Sequence, residues 1–129
     1  GAQRTNFTES AIQSTDIFYT GNLKHETLIS LYKRSKYFIH LAWLDCCPNV
    51  IVDARASGCH IICSDSGGSI EIAGNGATVV KDVDWDFKPM ELYKPPAMDF
   101  KKVFKNSKES DYNMKTVAQK YVNFMSRLL

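Results

Sequence analysis

The chain has 129 residues, the size of one ordinary domain with a single core. Hydrophobic residues make up 44% and charged residues 23%, which excludes the low-hydrophobicity, high-charge composition of a disordered tail. Sixteen basic and fourteen acidic residues, with the signs interspersed, leave a net charge of +2. This gives no electrostatic case for nucleic acid or an anionic membrane, so no nucleic-acid partner is expected and any bound phosphate must be held by local geometry.

In chain order, residues 1–15 are polar and without periodicity. Asp16-Ile17-Phe18-Tyr19-Thr20-Gly21 reads as a short buried strand ending in a turn. Leu28, Leu31, Tyr32 and Ser35 recur at helical spacing and predict an amphipathic helix over Lys24–Ser35. Tyr37–Leu41 is aromatic and branched, hence a second strand. Pro48 suits the first turn of a helix, and that helix should run to Ser57 and stop at Gly58. His60–Cys63 is a third strand, Ser64–Gly68 a tight turn, Ser69–Ala73 a short helix and Ala77–Val80 a fourth strand. Strands and helices in alternation, the strands apolar throughout, predict an α/β fold with a parallel sheet covered by helices on both faces.

Residues 81–108 break this rhythm with Trp85, Phe87, Pro89, Tyr93, Pro95, Pro96 and Phe100. They read as an extended surface excursion, with Asp99–Phe104 helical. Met114, Val117, Ala118, Tyr121, Val122, Met125 and Leu128 then predict a closing helix over Asp111–Leu128 that packs on the sheet. The apolar runs are too short to span a bilayer, and no signal peptide is visible. Cys46, Cys47, Cys59 and Cys63 match neither a zinc spacing nor a disulfide framework. Read as small, buried, reduced hydrophobes, they point to the cytoplasm.

In an open parallel sheet, ligands bind beyond the carboxyl ends of the strands. Two stretches fall there: Trp43–Gly58 after the second strand, and Ser66–Glu71 after the third. The amides of Asn49 and Val50 lie among the orphan donors of a helix's first turn, where the helix dipole also favours an anion such as a diphosphate. Asp45 and Asp53 flank them and could accept hydrogen bonds from sugar hydroxyls. The plainer alternative makes Asp45 a charge at the helix start and Asp53 a solvated polar residue. Of the histidines, His40 reads as a satisfied core residue, His25 as a surface residue at a helix start, and His60 as a residue before a strand without partners. A Gly-x-Ser-x-Gly elbow and a Walker loop are both absent.

From Tyr19 to Val80 the chain resembles the C-terminal domain of retaining glycosyltransferases of the two-Rossmann, GT-B type, the glycosyl transferases group 1 family. That family carries a glutamate, seven residues, a second glutamate, Ala-(Met)-Ala-x-Gly, a strand and a Gly-Gly-x-x-Glu turn. Here the register reads Asp45, seven residues, Asp53, Ala54-Arg55-Ala56-Ser57-Gly58, Ile61–Ser64, then Gly67-Gly68-Ser69-Ile70-Glu71. Pro48-Asn49-Val50 matches a common variant of the family's loop, and Gly21 and Leu31-Tyr32 fall where such enzymes carry similar residues.

The resemblance implies a Rossmann-like half of a GT-B fold, spanning 1–129 as one truncated, C-terminal nucleotide-sugar-binding domain. By the same resemblance Asp45 contacts the donor sugar at the catalytic centre, and Asp53 binds the ribose hydroxyls. Pro48, Asn49 and Val50 form the loop whose amides meet the diphosphate, and the Gly67–Gly68 turn shapes the cleft wall. An ordinary strand-to-helix turn is the alternative for Gly67–Gly68, and Glu71 reads as an acid in a helix's first turn. The implied partners are a nucleoside diphosphate sugar as donor substrate, a hydroxyl acceptor on a glycan, lipid or protein, and an N-terminal domain of the same polypeptide. No metal or cofactor is implied. The resemblance also admits placement at the cytosolic face of a membrane through sequence outside this chain.

Two features depart from the pattern. Both family glutamates are aspartates, shorter in reach by roughly 1.5 Å. The basic residues that would neutralise the diphosphate from an earlier loop are not identifiable, Arg4 being the only one before Lys24. Two other functions stay open on the sequence: a non-catalytic nucleotide- or sugar-binding module, and a protein-interaction domain using the aromatic-proline segment 85–100.

Overall fold

A computed structural model describes residues 17–82, 88–89, 94, 97–110 and 113–128. The elements are α1 (His25–Arg34), β1 (Tyr37–His40), α2 (Asn49–Ala56), β2 (His60–Ser64), α3 (Ser69–Ala73), β3 (Thr78–Asp82), β4 (Met98–Lys105) and α4 (Met114–Met125). They form a four-stranded sheet in the order β1-β2-β3-β4. The pairs β1–β2 and β2–β3 are parallel, and β3–β4 is antiparallel. The mostly parallel α/β fold that the alternation predicts is therefore present.

Each helix has a local cause. In α1, Glu26 lies in the first turn and Lys33 and Arg34 in the last, matching the helix dipole at both ends. Leu28, Ile29 and Tyr32 face the core, Leu31 staying exposed: Tyr32 is buried and meets the Phe38 ring edge-on at 5.2 Å. Pro48 is the N-cap of α2, just outside the helix rather than in its first turn. Beyond the C-cap Ser57, Gly58 has φ +93°, a left-handed geometry that ends the helix and that glycine adopts without strain.

The alternating side chains of the strands sort onto two faces. Phe38, Ile61, Cys63 and Val79 face the helices and form the core with Tyr32, Ile51, Ala54, Cys59, Ala73 and Ala77. Because β1, β2 and β3 are spatial neighbours in sequence order, right-handed crossovers place α2 and α3 on one face. Helix α1 packs on α2 and α2 on α3, extending that same layer. The expected cover on both faces is thus seen on one among the described residues. On the other face Tyr37 and Ile39 stand 52% and 61% exposed.

Three further expectations are corrected. Ile17–Thr20 form no strand and are exposed, Phe18 by 89%, because no described strand pairs with them; Asp16 lies outside the described residues. Asp99–Phe104, expected to be helical, lie within strand β4, which occupies the free edge of β3 with a register shift between Val80 and Lys81. Helix α4 forms where the periodicity puts it, yet it buries no residue: Met114, Tyr121 and Phe124 are 77%, 69% and 59% exposed. A 3.6-residue pattern sets which side of a helix is apolar, not what covers that side.

Most of the aromatic-proline segment, including Trp85, Phe87, Tyr93, Pro95 and Pro96, lies outside the described residues. Among the described residues, no helix is long and apolar enough to cross a membrane.

Candidate functional site

The loop after β1 (residues 41–48) and the turn after β2 (residues 65–68) meet at the carboxyl edge of the parallel strands, where such sheets bind ligands. Their contact is made by backbone. The Gly68 amide donates to the Asp45 carbonyl at 2.8 Å. A methyl group on Gly67 would land on the Asp45 carbonyl oxygen, and one on Gly68 on the Cys46 carbonyl oxygen. Gly67 also has φ +63°, so it answers both a left-handed turn and a close approach. The diglycine turn braces the loop that carries Asp45.

Two serines hold the same loop from β2. Ser64, fully buried at the end of that strand, donates its hydroxyl to the Ala42 carbonyl at 2.7 Å. The Ser66 hydroxyl reaches the same carbonyl at 3.4 Å and accepts from the Leu44 amide at 3.3 Å. Leu44 has φ +54°, a left-handed conformation that costs a branched side chain about 1 kcal/mol or more. The backbone immediately before Asp45 is therefore strained and held in place by these bonds.

The Asp45 side chain is engaged at both oxygens. His40 Nε2 lies 3.2 Å from Oδ2, and the Cys47 amide donates to Oδ1 at 3.2 Å. Asp53 sits on α2, where His25 Nε2 approaches its Oδ2 at 3.2 Å. That second pair joins the start of α1 to α2 at the surface, with side chains 70% and 37% exposed. Both carboxylates thus have a histidine partner.

The reading of His25 as a surface residue fits its exposure, whereas His40, read as a satisfied core residue, is half-buried at the end of β1; the sequence missed what both pair with. His60 departs further. It opens β2, lies 2.9 Å from the Thr78 hydroxyl and 3.4 Å from Lys105 Nζ, and so has partners.

At the start of α2, no side chain caps the helix, and the Ile51 amide bonds the Pro48 carbonyl at 3.0 Å. Asn49 and Val50, whose first-turn amides are predicted as an anion site, are both exposed residues. Pro48 is buried beneath them. Glu71 lies in the first turn of α3, as read from the sequence, and faces Lys108 at 3.8 Å.

Two anchors were not visible in the sequence. Arg55, on α2, donates to the Ile72 carbonyl at 3.0 Å, to the Ser110 carbonyl at 3.0 Å and to the Ser110 hydroxyl, with its guanidinium lying over Gly74. Asn106 is buried and donates from Nδ2 to the Ile70 and Gly74 carbonyls at 2.6 and 2.9 Å. Both tie the segment after β4 to α3, and a distant partner leaves no trace in local spacing.

The cysteines divide into two pairs. Cys59 and Cys63 are buried, and Cys46 and Cys47 are exposed beside Asp45, against the reading of all four as buried. Burial, with the Asp65 carboxylate adding to it, pushes the Cys63 thiol up to about 11, so it stays protonated in the core. Burial likewise raises Tyr32, with the charges of Asp53 and Cys59 contributing. Among the described residues, no three His, Cys, Asp or Glu side chains come together as a metal would require.

Among the described residues, two hollows lie away from this site, at the amino ends of the strands. One, of about 180 Å³, is lined by Arg55, Cys59, Ala73 and Asn75; the other, of about 410 Å³, by Lys36, Tyr37, His60, Thr78 and Lys105 on the open sheet face. The first is smaller than most ligand sites, and both sit at the edge opposite the one where parallel sheets take ligands.

A mostly parallel α/β sheet with a glycine-braced acidic loop and an uncapped helix start at its carboxyl edge is a Rossmann-like arrangement. The profile of the family Glycosyl transferases group 1 matches residues 2–87, two thirds of the chain. The chain belongs to that family, and the matched region is the C-terminal, donor-binding domain of GT-B enzymes. Membership implies sugar transfer from a nucleotide sugar. No curated protein and no solved structure matches the chain.

Proposed function

We propose that this chain binds the nucleoside diphosphate sugar for an enzyme that transfers the sugar to a hydroxyl acceptor with retention of anomeric configuration. The diphosphate lies against the amides of Asn49 and Val50, Asp53 accepts from the ribose hydroxyls, and Asp45 contacts the sugar. The Gly67–Gly68 turn holds the wall of the cleft. The chain acts as the donor half, and an acceptor-binding half of the same enzyme completes the cleft. Alone, it binds donor and turns over nothing. Rate acceleration then comes from stabilising the leaving diphosphate and positioning the acceptor. The acceptor hydroxyl belongs to a glycan, lipid or protein.

The observation that carries this reading is the backbone lock between the diglycine turn and the Asp45 loop. It fixes an acid next to an uncapped helix start at the edge where parallel sheets bind ligands. The test is Asp53→Ala, assayed by calorimetry against UDP, GDP and ADP. Loss of an exposed His–Asp pair costs little folding energy, so a change in affinity reports the ligand contact. The nucleotide that binds should lose about 1.5–3 kcal/mol, the scale of hydrogen bonding to a charged group. Unchanged affinity with the fold intact removes Asp53 from the site. Donor binding by the complete enzyme without any sugar transfer would instead favour the non-catalytic module.

A further inference from the structure

We infer that His40 is a positioning residue that holds the Asp45 carboxylate toward the donor sugar. The inference rests on the donor-binding reading and adds a residue to it.

Three observations converge on His40. It is the last residue of β1, so its backbone is fixed by parallel pairing, opposite Cys63 in the register. Its ring stacks on Phe38, with centroids 6.4 Å apart and planes inclined by 11°, and its side chain is only 16% exposed. Its Nε2 then lies 3.2 Å from Asp45 Oδ2. A histidine held by strand and stack makes a rigid donor, unlike His25, which is 70% exposed and pairs with Asp53 at the surface.

Asp45 needs such a partner. It follows a residue in a left-handed conformation, and its loop is fastened to β2 and the diglycine turn through backbone and serine bonds. Those bonds fix its main chain and leave the carboxylate to be oriented. Cys47 supplies one bond, to Oδ1, and His40 the other, to Oδ2. For this bond the Nε2 atom of a neutral imidazole must carry the proton. Each carboxylate oxygen accepts along more than one direction, so Oδ2 can still take a sugar hydroxyl while His40 holds it. An aspartate has one torsion fewer than the glutamate of the family's pattern. Clamped at both oxygens, it trades reach for a fixed direction.

The test compares three variants of the chain in calorimetry. UDP-glucose, GDP-mannose and ADP-glucose are each titrated against the matching free nucleoside diphosphate. His40→Phe keeps the ring stack and removes the donor; His40→Gln restores an amide N–H near Nε2; Asp45→Asn removes the charge. The readout is the ratio of nucleotide-sugar affinity to nucleotide affinity within one variant, to which an unfolded fraction contributes equally on both sides. His40→Phe should lower that ratio about ten-fold, the scale of one hydrogen bond to a charged group, and His40→Gln should recover most of it. An unchanged ratio in His40→Phe, or no recovery in His40→Gln, overturns the positioning role if Asp45→Asn does lower the ratio. An unchanged ratio in Asp45→Asn, or no binding of any probe to the wild-type chain, instead overturns the donor reading beneath it.

Discussion

Gly68 is the residue on which the acidic loop depends most directly. Its amide bonds the Asp45 carbonyl, and its missing side chain leaves room for the Cys46 carbonyl. In Gly68→Ala the added methyl meets backbone, not the yielding end of a side chain, so the loop has to move. The variant should lose about 1–3 kcal/mol of stability, the usual cost of overpacking, and more than about ten-fold in nucleotide-sugar affinity, since a displacement near 1 Å is costly at a binding centre. Thermal melting and calorimetry measure the two effects. A Gly68→Ala variant that matches wild type in both would show that the turn does not brace the site. Legibility at this scale was uneven. Asp45, Asp53, Gly67 and Gly68 were singled out because their spacing survives in a linear string. The partners of the two acids were not, since His40 reaches Asp45 across a looped backbone and His25 reaches Asp53 only when α1 packs on α2.

Helices α1, α2 and α3 and strands β1 to β3 lie within a few residues of their predicted bounds, because each has its own punctuation: an apolar period, a proline at the start, a glycine past the end. Strand β4 had none. Its Met98-Asp99-Phe100-Lys101-Lys102-Val103-Phe104-Lys105 interrupts the alternation with adjacent lysines, and the register shift beside Lys81 moves its faces partway along. Lysines on an outer strand deter further edge pairing, so the feature that hid β4 suits its position. The segment that leaves it is fixed by Asn106, whose Nδ2 bonds two carbonyls of the α3 region and whose backbone amide bonds Ala77 at 2.8 Å. Asn106→Ala removes the Nδ2 donor from the Ile70 and Gly74 carbonyls, of which Gly74 keeps the Ala77 amide at 3.3 Å. The melting temperature should fall, reflecting about 1–3 kcal/mol for the lost buried hydrogen bonds. A melting temperature equal to wild type would mean that the Asn106 side chain does not hold the segment after β4 to α3, leaving that task to Arg55, Ser110 and the backbone bonds.

Over the whole molecule, one sheet edge gathers everything assigned to the donor: the Asp45 loop, the diglycine turn and the start of α2. The opposite edge carries the cationic hollow of Lys36, His60 and Lys105, which charge alone would have made attractive for a diphosphate. The proposed site takes the first edge, on sequence register and parallel topology, and the family match gives the class of donor. The alternation of elements made the α/β class legible. What covers the open face, and what meets the apolar side of α4, was not, because a pattern of apolar residues names no partner. The account stands or falls on where the nucleotide sits. The direct measurement is a titration of the nitrogen-15-labelled chain with UDP, GDP and ADP, followed amide by amide in NMR spectra. The amides of Asn49, Val50, Gly67 and Gly68 should shift and saturate together while those of Lys36, Thr78 and Lys105 stay still. Saturable shifts confined to Lys36, Thr78 and Lys105 would contradict the account.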